Sequence, residues 1–350
     1  MSQQNYLHHA TAPAPPNHLC YSGQVPAPHI HLGSLKLIVA YAFLISVIYV
    51  GALYFLVPAT VRAIDRNEPR QVRWRIAATA QIAIISWYVI FPSVFCHTDD
   101  GGDGGVSDGV KRSEISCGQV IILSLQVLAH VATLYLGSLC TLFLQIFLVV
   151  RYEFDSRSRF QQHMIRASEL FFVRIYSRSG GEWQAARDLF FGPFSEEVVF
   201  RGCIVSPIYY FFVSVLDRYH GNVFSAVIRS TFLSPLFFGT AHVHHAYLKL
   251  RYERHDVSSV YIQTIFQFAY TYLFGIYATY VYIRIKFASV CPLVVIHCFC
   301  NYMGLPDLGI LNCAYMKSFK MAIITMHIVG IVLFFYGFSD GNITSLPRTI

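Results

Sequence analysis

Apolar runs about as long as a bilayer is thick dominate this chain, and they decide what it can fold into. A helix needs about 20 apolar residues to cross the hydrocarbon core. About eight stretches approach that length, at residues 35–57, 76–95, 120–150, 189–215, 223–241, 260–283, 287–302 and 321–338. The runs are continuous rather than alternating, so they read as helices, not as strands of a barrel. Charged residues make up 13% of the 350 and apolar residues 55%, which excludes an ordinary cytosolic enzyme, a disordered chain and a small disulfide scaffold. The expectation is an all-α polytopic membrane protein with about eight transmembrane helices. Residues 1–34 form a Pro/His-rich tail without Lys, Arg, Asp or Glu, expected to be disordered. Residues 35–340 form a single membrane-embedded unit, and 341–350 a short tail. With no basic stretch ahead of an apolar core, the N-terminus fits neither a cleaved signal nor a transit peptide, and the first run serves as an uncleaved insertion signal.

The net charge of +7 lies in the loops. Arg62, Arg66, Arg70 and Arg73 follow the first run. Arg157, Arg159, Arg166, Arg174 and Arg178 lie in the third loop, Lys249, Arg251 and Arg254 follow the fifth run, and Lys317 and Lys320 precede the last. The loop around Asp99–Asp100 and Asp103 is acidic and glycine-rich. Basic loops alternating with poor ones place the basic side in the cytosol and both termini outside it. Arg284 and Lys286 run against this pattern. The Asn342-Ile343-Thr344 sequon would then face the lumen, close to the membrane. The basic residues do not form a stripe interleaved with aromatics, so nucleic acid is not an expected partner. The stretch 151–183 is amphipathic and basic, and fits either an interfacial or a plain connecting helix.

Nine cysteines include no CxxC and no zinc-finger spacing. Cys298 and Cys300 read as small buried apolar residues. Cys96 and Cys117 bracket the acidic loop and are either a lumenal disulfide or two free thiols.

Ionisable residues inside apolar runs are costly and mark function. Three clusters occur. Glu196 and Glu197 precede Arg201; Glu197 and Arg201 are four apart and can pair on one helix face, leaving Glu196 as the better general base. His242 ends the fifth run four residues after Phe238, with His244 and His245 beyond it. His297 and Asn301 are four apart in the seventh run and offer two donors toward one point, as a developing oxyanion needs. The alternatives are an ion-pair network, helix-end histidines and an interhelical hydrogen-bonded pair. Under the expected topology all three clusters lie in the cytosolic half of the bilayer. His130 and His327 have no such company and read as packed residues.

These three motifs, EExxxR from Glu196 to Arg201, FxxxH from Phe238 to His242 and HxxxN from His297 to Asn301, resemble the type II CAAX prenyl endopeptidases. The likeness covers roughly residues 187–306, the motif core. It implies an intramembrane endopeptidase of the endoplasmic reticulum membrane, multi-pass, with its active site facing the cytosol. Such an enzyme removes the last three residues of prenylated CAAX proteins such as small GTPases. It implies that Glu196 with His242 activates a water, that His297 with Asn301 steadies the oxyanion, and that Glu197 and Arg201 support the site. It implies no cofactor and no assigned metal ligands. Membrane lipid is the remaining partner, since a prenyl chain prefers the bilayer. Two alternatives stay open. One is a zinc metalloprotease on the same substrates, against which stands the absence of HExxH. The other is a non-catalytic scaffold or transporter, since buried Glu, Arg and His also line ion pathways.

Overall fold

The structure, a computed structural model, describes residues 34–90, 116–154, 181–218, 223–250, 256–285, 287, 289–306, 309 and 316–339. Among these residues there is no strand. The helices are α1 (Leu35–Phe55), α2 (Ala59–Arg62), α3 (Pro69–Ile85), α4 (Cys117–Leu134), α5 (Leu136–Phe154), α6 (Glu182–Ala186), α7 (Gly192–Glu196), α8 (Ser206–Arg218), α9 (Val223–Ala241), α10 (His244–Leu248), α11 (Val257–Arg284), α12 (Cys291–Met303) and α13 (Lys320–Ser339). Three π stretches interleave with them: Ser86–Ile90, Arg187–Phe191 and Glu197–Val205.

The chain is an all-α membrane protein. Three described segments are long and apolar enough to cross a bilayer, Leu35–Phe55, Cys117–Leu134 and Lys317–Phe338. Only 11% of the most apolar stretch of the last is buried, so its Ile328, Val332 and Phe335 side chains are left for lipid. Two expected spans differ in the structure. The run 120–150 is two helices interrupted at Tyr135. The run 287–302 gives only the 13 residues of α12, about 20 Å of helix against the roughly 30 Å of a bilayer core. Its limits are local. Phe287 sits at φ 57, Pro292 stands in the first turn, and Gly304 takes φ 60 just past the last turn.

The chain divides into two compact units. The first comprises Met1–Val47, Ile85–Arg112 and Val199–Ser289. Its α9 and α11 pack as an antiparallel pair, and Gly275 lets Pro235, the proline inside α9, approach so closely that an added Cβ would lie 2.7 Å from its ring. Tyr209, Tyr210 and Tyr282 surround the fully buried Phe287 with ring centroids 5.0–5.8 Å away. The second unit comprises Ile48–Ile84, Ser113–Val198 and Val290–Ile350. Here α12 packs on α4, and α13 lies along both α4 and α5.

Several sequence expectations lie outside the described residues: the tail 1–33, the acidic loop with Cys96, residues 155–180 of the amphipathic stretch, and the C-terminal tail with Asn342. Cys117 is an exposed free thiol at the start of α4.

Candidate active site

Backbone winding sets up the glutamate pair. Pro193 has no backbone N–H, so the turn ahead of it loses a ladder bond. Residues Arg187–Phe191 wind as a π segment there. Glu196 closes the short α7, and Glu197 opens the second π stretch. Such segments are rare and concentrate at functional sites.

Within the second unit, Glu196, Glu197, His297 and Asn301 come together. Nδ1 of His297 lies 2.7 Å from Oε1 of Glu197, whose side chain is fully buried. A carboxylate oxygen accepts, so Nδ1 carries the proton. Nε2 of the same ring faces Oε2 of Glu196 at 3.7 Å, too far for a direct hydrogen bond. Glu196 keeps 21% of its side chain exposed. One imidazole therefore bridges two unlike carboxylates, a buried one that fixes it and an accessible one that it faces.

Asn301 does not join His297 at one point. Its Nδ2 donates to the backbone carbonyl of Asp188 at 2.8 Å. That carbonyl lies in the π stretch, whose altered winding leaves it open to a side-chain donor. The amide thus ties α12 to the segment carrying the glutamates.

Two further features had no signal in the sequence. Ser195 donates to the carbonyl of Gly192 at 3.0 Å and accepts from the hydroxyl of the buried Tyr49 at 2.8 Å. Its hydroxyl is committed to structure, and no base stands on it. Arg187 and Asp188 form a bidentate pair at 2.6 and 3.1 Å. Tyr49 lies 146 positions from Ser195, which no motif spacing links.

Within the first unit, Arg201 is buried, with its guanidinium 4.3 Å from the ring centre of Phe238 and 5.4 Å from that of Phe274. Stacking of this kind lets a cation stay in an apolar interior. Phe238 meets His242 edge-on at 4.8 Å, and the ring donates from Nδ1 to the Phe238 carbonyl at 2.8 Å. This explains the four-residue spacing of the FxxxH motif: its phenylalanine and histidine stack and share a backbone bond. His242 stands in the turn just past α9. Burial holds its imidazole below the ordinary histidine value, and the Arg201 charge adds to this against the carbonyl bond. Its Nε2 is therefore a free lone pair at neutral pH. His244 donates to the Ala241 carbonyl at 2.6 Å and stacks on His245 with centroids 4.1 Å apart. Among the described residues no three His, Cys, Asp or Glu side chains are grouped as metal ligands.

Residues 179–303 match the family model described as "Type II CAAX prenyl endopeptidase Rce1-like". The chain is 29% identical over 311 residues to "Probable CAAX prenyl protease 2" of Schizosaccharomyces pombe, covering 86% of this chain and 93% of that protein. It is 33% identical over 133 residues to "CAAX prenyl protease 2" of Homo sapiens, covering 38% of this chain and 36% of the human protein. Over 124 residues it is 33% identical to the Caenorhabditis elegans protein of the same name, covering 35% and 41% respectively. No solved structure matches.

Proposed function

We infer that this chain, which belongs to the type II CAAX prenyl endopeptidase family, cleaves prenylated CAAX proteins and releases their last three residues. The observation that carries the mechanism is the bridged carboxylate pair, Glu197 fixing His297 and His297 facing the accessible Glu196. In the proposed reaction Glu196 takes a proton from a water, and the resulting hydroxide adds to the scissile carbonyl. His297, held in orientation through Nδ1, steadies the oxygen that becomes negative as the doubly protonated ring, in which Nε2 is a donor as well. The protonated Glu196 then delivers its proton to the departing amine, so charge and protons balance over the cycle. Asn301 acts by holding α12 to the glutamate segment, and Ser195 and Tyr49 brace that segment from behind. The family motif assigns His242 to the same water, and its neutral ring suits an acceptor; Arg201 keeps the neighbouring phenylalanine and histidine in place.

The finer assignments are the endoplasmic reticulum membrane, an active site open to the cytosol, and prenylated small GTPases among the substrates. They rest on the resemblance and on the alternation of basic loops.

The test is release of the C-terminal tripeptide from a farnesylated CAAX peptide by purified protein in detergent. Wild type is expected to release it, and Glu196→Gln, folded to the same extent, is not. Indifference to a strong chelator supports the glutamate-activated water. Loss with chelator and recovery with zinc would replace that mechanism by a metal-assisted one. No release from folded wild type would overturn the protease reading.

A further inference from the structure

Glu196 stands on a turn that does not hold itself. α7 has only the five residues Gly192–Glu196, with a π stretch on either side. So short a helix is not stable on its own backbone bonds, and Pro193 removes one of them. At Gly192 an added Cβ would lie 2.8 Å from the carbonyl oxygen of Arg187. The turn is therefore tight, and its orientation has to come from elsewhere in the second unit.

Two side-chain bonds from distant helices supply it. Asn301 of α12 donates to the Asp188 carbonyl, ahead of the turn. Tyr49 of α1 reaches the turn itself, at the residue before Glu196. Its hydroxyl donates to Oγ of Ser195 at 2.8 Å, and Ser195 donates onward to the Gly192 carbonyl at 3.0 Å. Both side chains are buried, so water does not compete for these bonds. Within this unit α1 turns Tyr49, Ala52 and Leu53 inward on one face. Ser46, three residues earlier, shows the local alternative, since its hydroxyl bonds the Ala42 carbonyl of its own helix. The Tyr49 hydroxyl instead crosses 146 positions of sequence to the catalytic turn.

Ser195 and Glu196 are neighbours about 100° apart around the helix. A roll of α7 about its axis carries both through the same angle. The roll sets how Glu196 meets His297, where Oε2 stands 3.7 Å from Nε2. A displacement of about 1 Å at a reacting group can cost about a hundredfold in rate. A hydroxyl that stops the roll thus controls the rate without touching the substrate.

Resting on the protease reading, we propose that Tyr49 is a positioning residue of the reaction: through Ser195 its hydroxyl fixes the roll of the turn that aims Glu196 at His297. The working site then extends beyond residues 179–303, which match the family model. The first helix belongs to the frame of the active site as well as to the membrane anchor.

The test measures tripeptide release from a farnesylated CAAX peptide by the full chain in detergent, over a range of peptide concentrations. Tyr49→Phe keeps the buried ring and removes only the hydroxyl. Its kcat per folded molecule is expected to fall about tenfold or more, with KM within about twofold of wild type. Ser195→Ala reads the same bond from its other end and should give a similar loss. Adding Tyr49→Phe to Ser195→Ala should then lower kcat no further, because the two act as one unit. A merely structural bond would lower the melting temperature and leave kcat per folded molecule unchanged, which overturns the proposal. So does a rise in KM at unchanged kcat, which marks a substrate contact, or losses that multiply in the double variant. Absence of release from wild type sinks the protease reading and this role with it. A wild type that releases, beside a Tyr49→Phe that releases as fast, sinks the role alone.

Discussion

His297 and His327 both sit on apolar helices of the same unit, yet their surroundings differ in kind. His297 lies between two carboxylates, one of them fully buried. His327 donates from Nδ1 to the carbonyl of Ile323 on its own helix at 2.9 Å, and its other nitrogen is 3.4 Å from the hydroxyl of Ser138. Its ring covers Gly137, where an added Cβ would lie 2.0 Å away. His130 is satisfied by a neighbouring helix instead, bonded to the Phe334 carbonyl at 2.9 Å and stacked on its ring. A membrane helix can satisfy an imidazole from its own backbone, and such a histidine is a packing piece. A histidine that draws a charged partner into the interior is kept there against the desolvation cost of that charge. That is the difference between chemistry and packing in this unit.

The largest effect expected is that of Glu196→Gln. Losing the general base should lower tripeptide release by roughly 10²–10⁴-fold. Because Glu196 is partly exposed, thermal stability should change little. Release at a tenth of wild type or more would break the contrast between the two carboxylates. His297→Ala comes next and should fail twice over. Release falls about a hundredfold, and the buried Glu197 carboxylate loses the His297 donor, destabilising the fold by about 1–3 kcal/mol. The same change at His327 should leave release within about twofold, since backbone-satisfied polar groups contribute about 1 kcal/mol or less. Equal losses at the two histidines would erase the comparison.

His242 adds a pH dependence of definite sign. Its folded-state pKa lies below the ordinary 6.5 because burial penalises the imidazolium. The unfolded chain therefore binds the proton first. The stability this histidine contributes is present above 6.5 and is lost as pH falls below it. A reaction that uses the neutral ring should keep its rate at pH 6.5 and reach half-maximum only at lower pH. An acidic-limb half-maximum above 6.5, measured on the tripeptide-release rate, would remove His242 from the role the motif gives it.

The sequence made some of this legible. The Phe238-to-His242 spacing is legible as a motif, and the structure supplies its physical content, a ring contact and a backbone bond that both run over those four residues. Continuous apolar runs were enough for the helical membrane class. What spacing could not carry was any contact between distant segments. Glu197 finds His297 a hundred positions away, so the pairing of Glu197 with Arg201, read from an i,i+4 count, left out the partner that fixes the imidazole. Asn301 went to a backbone carbonyl opened by π winding at Arg187–Phe191, which side-chain patterns do not reveal. The break at Tyr135 was hidden for a related reason. Hydropathy is unchanged across it, and the break lies in the backbone alone, where Tyr135 leaves the helical region at φ −95, ψ 12. Length misleads at 287–302, where Phe287 and Val290, apolar residues of the turn ahead of Cys291, count toward the run but not toward the helix.

The smallest effect tests the packing side of the comparison. Gly330 of α13 rests on the break between α4 and α5, where an added Cβ would meet the carbonyl oxygen of Thr133 at 2.3 Å and Cβ of Leu136 at 3.0 Å. A backbone atom cannot turn aside as a side-chain tip can, so Gly330→Ala must shift the helix, at about 1–3 kcal/mol of stability. If this region only packs, the variant should melt at lower temperature in detergent while its release rate per folded molecule stays within about twofold of wild type. A rate falling as far as in His297→Ala, at equal folded fraction, would mean that α13 transmits its position through α4 to α12. The line between packing and catalytic histidines would then have to be drawn further out.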